Sequence, residues 1–337
     1  MLALVTVTVV SAQGFWTTLP SMPTARAGQG SAAAPCPKGL DGTCLYNAGG
    51  GDNSGNVFAV LEAYSPKSNT WVTLPSMPTA RGSLAASAAP CPQGLKGTCL
   101  YAIGGFDGTT FVATLEAYSP KSNSWVTLPS MPTARSGLGA ATAPCPQGVK
   151  GTCVYAVGGF VPNPNGTAAV EAYSPRSNSW MTVPSMPTAR GGVAAAAVPC
   201  PQGLGGTCVD AVGGFDGSNI LGTLEAYSPK SNSWTTLPSM PTPSIRLGAA
   251  AAPCPQGVKG TCLFAVGGQS GVGLRFFEAY SPKSNSWLTL PTMPTGRQRL
   301  AAVAAPCTQG IKGTCVYAVG GLNPSGDPLG TLEMFIP

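Results

Sequence analysis

The chain has 337 residues, 43% of them hydrophobic and only 9% charged, against roughly 25% charged in ordinary domains. Its net charge of +6 is thinly spread, which excludes the dense basic stripe of a nucleic-acid binder, and no apolar run reaches the ~18 residues of a membrane span. Histidine is absent, so the commonest general base and the commonest zinc or copper ligand are both missing.

Residues 1–12, MLALVTVTVVSA, support two readings. The apolar run ending in Val10-Ser11-Ala12 has the form of a signal-peptide end with a small-residue cleavage site, although a basic n-region is missing. The same residues alternate Val and Thr, which is the pattern of a strand. Residues 13–337 form the second unit. Within it a short strand, Phe15 to Leu19, comes first, and six repeats follow.

The repeats are marked by three independent residue types. Cysteine pairs fall at Cys36 and Cys44, Cys91 and Cys99, Cys145 and Cys153, Cys200 and Cys208, Cys254 and Cys262, and Cys307 and Cys315, each with seven residues between its members. Trp16, Trp71, Trp125, Trp180, Trp234 and Trp287 keep the same step, as do Gly49-Gly50, Gly104-Gly105 and their four counterparts. A period of 53 to 55 residues with paired glycines and a lone tryptophan predicts propeller blades. In the unit 81–128, Arg81 precedes a small-residue strand, GSLAASAAP. The loop CPQGLKGTC returns the chain to a second strand, LYAIGG. A variable loop leads to a third, ATLEAY, and the turn SPKSNS to a fourth, WVTL. Gly and Pro flank these strands and do not interrupt them.

The order Arg, strand, Tyr-x-x-Gly-Gly, variable loop, Glu-x-Tyr, Ser-Pro-x-Ser-Asn-x-Trp and Met-Pro resembles the kelch repeat, six times over residues 13–337. The resemblance implies an all-β, six-bladed propeller with four antiparallel strands, a to d, in each blade. Strand a would line the central channel and strand d would lie outermost. Because the repeats begin at a strand d and stop at a strand c, the first strand is expected to complete the last blade and close the ring. The Ala- and Gly-rich inner strands let six sheets converge on one axis. Tyr64, Tyr118, Tyr173, Tyr227, Tyr280 and the tryptophans are expected to fill the wedges between blades.

Zinc sites use shorter spacers and often His, whereas seven residues across an a/b hairpin are expected to bring two cysteines opposite each other. Six disulfides, one per blade, are therefore expected, each stabilising by roughly 2.5 kcal/mol in the chain-entropy model. Such bridges persist in oxidising compartments, which predicts a secreted or cell-surface protein.

No catalytic residue, metal or cofactor is expected. Copper oxidases and iron-dependent specifier proteins, which this chain resembles in repeat type, need His ligands. The aspartate-box turns of sialidase propellers are missing. No nucleophile–His pair or phosphate-cradling loop is present. The candidate ligand-binding residues are arginines. Arg26, Arg81, Arg135, Arg190 and Arg297 stand ten residues before the first cysteine of their repeats. The fifth repeat has Ser244 there, with Arg246 two residues on, and the sixth adds Arg299. In kelch domains of ubiquitin-ligase adaptors, arginines so placed ring one mouth of the channel and grip acidic peptides, which implies an anionic ligand. The alternative is that each arginine satisfies one of the glutamates Glu62, Glu116, Glu171, Glu225, Glu278 and Glu333, or a backbone carbonyl, between blades.

The loops between strands b and c are the variable ones, and binding residues concentrate on such loops. The opposite end carries near-identical loops with a regular ring of Lys. One glycosylation sequon is present, at Asn165. The function expected is extracellular, non-enzymatic recognition of a protein or anionic glycan ligand through the variable-loop face. The alternative is a self-assembling subunit of an extracellular fibre or matrix, joined through propeller faces or an N-terminal donor strand.

Overall fold

A computed structural model describes residues 14–162, 166–255, 257–270, 275–308 and 310–337. Residues 1–12, and with them the choice between a leader and a donor strand, lie outside the described residues, as does Asn165.

The small-residue runs form the innermost strands a: Gly30–Pro35, Ala85–Pro90, Gly139–Pro144, Ala194–Pro199, Gly248–Pro253 and Ala301–Pro306. Each ends at a proline, which has no N–H to continue the ladder. Strands b are Thr43–Ala48, Thr98–Ile103, Thr152–Val157, Thr207–Val212, Thr261–Val266 and Thr314–Val319, and the second cysteine of each repeat is the second residue of its strand b. Strands c are Leu61–Ser65, Leu115–Ser119, Val170–Ser174, Leu224–Ser228, Phe277–Ser281 and Leu332–Ile336. Strands d are Thr70–Leu74, Ser124–Leu128, Ser179–Val183, Ser233–Leu237 and Ser286–Thr289, and Phe15–Leu19 is the sixth. The strands make six four-stranded antiparallel sheets in the order a-b-c-d. Strand d of blade six comes from the start of the chain, with Phe15 opposite Ile336 and Leu19 opposite Leu332. The described residues contain no helix long and apolar enough to cross a membrane.

The blades are joined at three radii. Near the axis, small residues set how closely the sheets approach. A Cβ added to Gly139 would stand 2.8 Å from the Ala195 Cβ of the next blade, and one on Gly248 would stand 2.7 Å from that of Ala302. At mid-radius, tyrosines interleave: Tyr101 of blade two packs on Tyr173 of blade three at 5.8 Å, and Tyr155 on Tyr227 at 5.8 Å. At the rim, each tryptophan donates its indole N–H to a proline carbonyl of the preceding blade, as in Trp125 to Pro75 at 2.7 Å. Trp16 to Pro291, at 2.9 Å, is the member of this series that crosses the closure. Tyr and Trp suit these positions because each joins a large apolar body to one polar handle that must be satisfied.

All six expected disulfides are formed, with Cα–Cα distances of 4.8 to 5.0 Å. Their placement corrects the expectation that the two cysteines of a pair stand opposite each other. Cys44 faces Ala34, Cys99 faces Ala89, Cys153 faces Ala143, Cys208 faces Val198, Cys262 faces Ala252 and Cys315 faces Ala305. The first cysteine lies two residues past that partner, beyond the proline, so each bridge runs diagonally across the a/b hairpin. The reason is the hairpin's register. The N–H of Cys36 donates to the Gly42 carbonyl at 2.9 Å, which puts Gly42, and not Cys44, across from Cys36. A diagonal neighbour on the same face of a sheet is still within reach of a side chain. In four of the bridges the two ends also differ in burial, with Cys36, Cys91, Cys200 and Cys254 partly exposed. Cys44, Cys99, Cys153, Cys208, Cys262 and Cys315 are fully buried and pack within the core between blades. They are structural staples and present no surface to a ligand.

Two blades break the pattern of strand b, blade five with Phe264 and blade four more severely. Tyr46, Tyr101, Tyr155 and Tyr317 occupy the fourth position of strand b, and each hydroxyl donates to the proline carbonyl that ends its own strand a, at 2.6 Å. In blade four that position is Asp210, which is fully buried with both carboxylate oxygens lacking a partner among the described residues. Burial pushes its pKa well above the ordinary carboxyl range. The folded chain then holds a proton that the unfolded chain has lost, so this group's contribution to stability falls as pH rises above about 4. Asp210→Tyr restores the sister-blade arrangement. It is expected to stabilise the chain by about 1–3 kcal/mol in chemical denaturation, with the gain growing between about pH 4 and 7. A smaller, equally pH-dependent gain is expected for Asp210→Asn.

Candidate functional site at the channel mouth

The site is built by the connections that leave strand d and enter strand a of the next blade. Each carries a Thr-x-Arg unit, or its variant, and is fixed to a buried glutamate on strand c of the blade it enters. In blade two, Thr79 donates to one oxygen of Glu116 and Arg81 to the other, both at 2.8 Å. Arg81 also donates to the carbonyls of Gly104 at 2.7 Å and Thr114 at 3.0 Å. Arg135 pairs with Glu171 at 2.7 Å, Arg26 pairs with Glu62, and Arg297 pairs with Glu333. Arg190 and Glu225 stand 3.0 Å apart without hydrogen-bonding geometry.

These five arginines are 0% exposed. Of the two alternatives for Arg26, Arg81, Arg135, Arg190 and Arg297, the side chains follow the second: they turn into the blades, where a glutamate and neighbouring carbonyls face the guanidinium. Burial pulls the pKa of each below its ordinary value, and the paired glutamate opposes the shift. Blade five has the glutamate without the arginine. Thr242 donates to Glu278 at 2.6 Å, Ser244 replaces the cation, and burial raises the Glu278 pKa.

The glycine pairs let this connection approach. Gly104 and Gly105 have φ of 59° and 111°, and a Cβ on Gly104 would lie 2.7 Å from the Arg135 carbonyl oxygen. Two residues after the register of the arginine comes a second ring. Gly28, Ser83, Gly137, Gly192, Arg246 and Arg299 all have left-handed φ, between 51° and 65°. Their backbones hydrogen-bond around the axis: Gly137 to Ser83, Gly192 to Gly137, Arg246 to Gly192, Arg299 to Arg246 and Gly28 to Arg299, at 2.8 to 2.9 Å. The conformation suits glycine, and a long side chain there is strained.

Arg246 and Arg299 therefore sit side by side on the mouth, in adjacent blades, at positions where three sister blades have glycine. Neither pairs with a carboxylate among the described residues; Arg246 donates to the Gln269 side chain at 3.2 Å. Burial, and then the charge of Arg299, lowers the Arg246 pKa, and burial lowers that of Arg299. Beneath them lies a cavity of about 460 Å³ opening on the variable-loop face, floored by Leu84, Leu138, Leu247 and Leu300. Phe106, Phe111 and Phe160 form its wall on blades two and three, so the mouth has an aromatic side and a cationic side. Arg246 and Arg299 are the arginines of the sequence-predicted set that the structure brings together here. The phenylalanines are not legible as site residues in the sequence, although each lies in or beside a variable loop. Among the described residues, no group of three His, Cys, Asp or Glu side chains stands close enough to hold a metal.

The Kelch motif matches residues 34–78, 96–132, 144–187, 208–241 and 257–294, and the chain belongs to this family. The matches stop short of blade six, whose strands come from both parts of the chain. Kelch-like protein 35 of Mus musculus is 31% identical over 65% of this chain and 34% of its own length. Kelch-like protein 23 of Homo sapiens is 28% identical over 71% and 39%. Kelch-like protein terF of Aspergillus terreus is 29% identical over 53% and 38%. The chain thus spans well under half the length of these curated relatives. The solved structure of YjhT shares the fold, with a TM-score of 0.66 over 92% of this chain and 95% of that one, at 14% identity.

The two versions of the glutamate site make an internal control. Glu171→Gln strands the buried charge of Arg135 and is expected to cost about 3–5 kcal/mol in urea denaturation at neutral pH. Glu278→Gln leaves no cation behind and is expected to cost less than about 1 kcal/mol there, because a glutamine can still accept from Thr242.

Proposed function

We propose that the chain is an extracellular, non-enzymatic binding module. Its ligand is a protein or glycan that presents an anionic group beside an apolar one at the channel mouth. The observation that carries this reading is the pair Arg246 and Arg299, two neighbouring cations held in strained backbone conformations at a cavity of mixed lining, with leucines and phenylalanines beside Gln29, Asp52 and Asn56. Strained residues of this kind cluster at ligand sites, where the surrounding structure over-determines them. Like charges placed together without a carboxylate are an arrangement that an incoming anion relieves. The aromatic wall opposite gives the apolar part of the ligand a surface to cover. The six disulfides support the extracellular setting.

The test uses the double substitution Arg246→Gly and Arg299→Gly. It relieves two left-handed arginines and one like-charge contact, so the variant is expected to be more stable by about 1–3 kcal/mol. Binding of an acidic ligand, selected from a library of peptides and acidic oligosaccharides displayed against the full chain, is expected to weaken at least ~100-fold, the loss of two charge-assisted contacts. A variant that is destabilised, or that binds such ligands as tightly as the parent, refutes the reading.

A further inference from the structure

The end of the propeller opposite the mouth carries most of the molecule's unpaired positive charge. The chain has 18 Lys and Arg. Five of these arginines are buried against glutamates. Three more, Arg246, Arg275 and Arg299, lie on the mouth side. The remaining ten are exposed, and all stand on the loops that close the a/b hairpins and on the c/d turns: nine lysines, such as Lys96, Lys121 and Lys283, and Arg176. Antiparallel order puts both kinds of loop at one end of every blade. The only acid on these loops is Asp41, which pairs with Lys67 at 2.9 Å.

The loops that carry the cations are braced. Each a/b loop is tied across its base by a disulfide. The Gln93 side chain of blade two donates to the Arg176 carbonyl of blade three at 2.7 Å, and the Gln147 backbone N–H of blade three donates to Pro229 of blade four at 3.0 Å. In each c/d turn an asparagine with left-handed φ accepts from the strand c tyrosine, as Asn123 does from Tyr118. The loops of blades two to four are thus linked to one another within a cationic annulus.

We infer that this annulus docks an anionic polysaccharide, sulfated or rich in uronic acid, along the disulfide-bearing face. Many point charges spread around a ring suit a linear polyanion better than one small anion, and the cavity of about 260 Å³ between the loops of blades three and four is lined by a single cation, Lys230. No Phe, Tyr or Trp occurs in any of these loops. Bases therefore have no stacking platform, and a bilayer has no aromatic anchors. A second copy of the chain is a poorer occupant. The mouth side offers only Asp52, Asp107, Asp216 and Asp327 against ten cations, and the first three are already engaged by their own loop N–H groups.

The probe is heparin, with polygalacturonate as the carboxylate counterpart, measured against the full oxidised chain at about physiological ionic strength. Heparin is expected to bind, to lose affinity steeply as salt rises, and to bind more tightly as its chain lengthens past the span of one blade. Lys96→Glu with Lys121→Glu and Lys283→Glu is expected to weaken it by at least ~10-fold, and glutamine at the same three positions by less. These side chains are exposed, so the melting temperature should not change. Arg246→Gly with Arg299→Gly should leave heparin binding intact, which separates this surface from the mouth. The inference is overturned by any of three results: absence of heparin binding, binding insensitive to the three lysines, or tighter binding of phosphatidylserine vesicles or duplex DNA than of heparin.

Discussion

The fold depends on one buried clamp, repeated with variations: a threonine and an arginine on the connection entering a blade, and a glutamate on that blade's third strand. Moving both charges out of water costs several kcal/mol per ion, and their attraction roughly offsets that cost. The clamp is therefore better understood as a device that fixes where each connection lies than as a large net source of stability. The glutamate accepts from the threonine hydroxyl on one oxygen and faces the arginine on the other. A terminal nitrogen of the arginine also donates to a strand b carbonyl, as Arg26 does to Asn47 and Arg135 to Ala156. A shift of the connection by one residue would leave a buried charge unpaired, so six near-identical sheets are held to one register. Arginine rather than lysine suits the position, because its planar fork can serve a carboxylate and carbonyls together.

From this clamp the mouth follows. Once the arginine is pinned, the chain must turn within two residues to reach the small-residue strand on the axis. It does so through the left-handed position that begins the ring of backbone hydrogen bonds. Glycine makes that turn at no steric cost. Where Arg246 and Arg299 make it, strain and charge are concentrated at the entrance of the channel. Blades four to six also hold Asp210 for tyrosine, Phe264 for tyrosine and Ser244 for arginine, while blade one has the buried Asn47 where its sisters have alanine and blade two has Ser83 in the left-handed ring. Natural chains tolerate such local conflicts chiefly at working sites.

Much of this was readable in the sequence because it rests on period. Three residue types keeping one step determined the number of blades, the four strands and the partner of every cysteine. The closure by Phe15–Leu19 followed from which strand comes first and which last. The exact register of the hairpins was not readable. Seven residues between Cys91 and Cys99 are equally compatible with a facing pair and with the diagonal pair that forms, and only the ladder, with Cys99 opposite Ala89, decides between them. The role of the arginines was not readable either, because spacing gives the position of a Cα but not the direction of its side chain. Arg81 at the mouth and Arg81 inside the blade have the same sequence. Glu116 was visible as a partner of the right charge, but so was an acidic ligand. Strand a was also expected to start sooner. In blade two Gly82, Ser83 and Leu84 belong to the turn, because the left-handed Ser83 breaks the extended run before Ala85. The phenylalanines of the mouth lie in loops whose lengths vary, where no repeat register carries them to one another.

The clamp also governs the electrostatics. By consuming five arginines and five glutamates inside the blades, it removes them from the surface balance, and the net charge of +6 then understates how polar the molecule is. What remains is ten cations and one aspartate at the disulfide end, set against a mouth with three arginines and four aspartates. A field of this kind acts over roughly a Debye length, ~8 Å at physiological salt, so each end is felt mainly by what touches it. On the proposed reading of the mouth, few charges arranged asymmetrically at a cavity of mixed lining would discriminate among ligands by shape and by the placement of one anion. On the inference drawn for the opposite end, many similar charges would respond to charge density along a polymer. Because the blades separate the two ends, the two proposals are compatible: a polymer held on one side would leave the mouth open to a second ligand on the other.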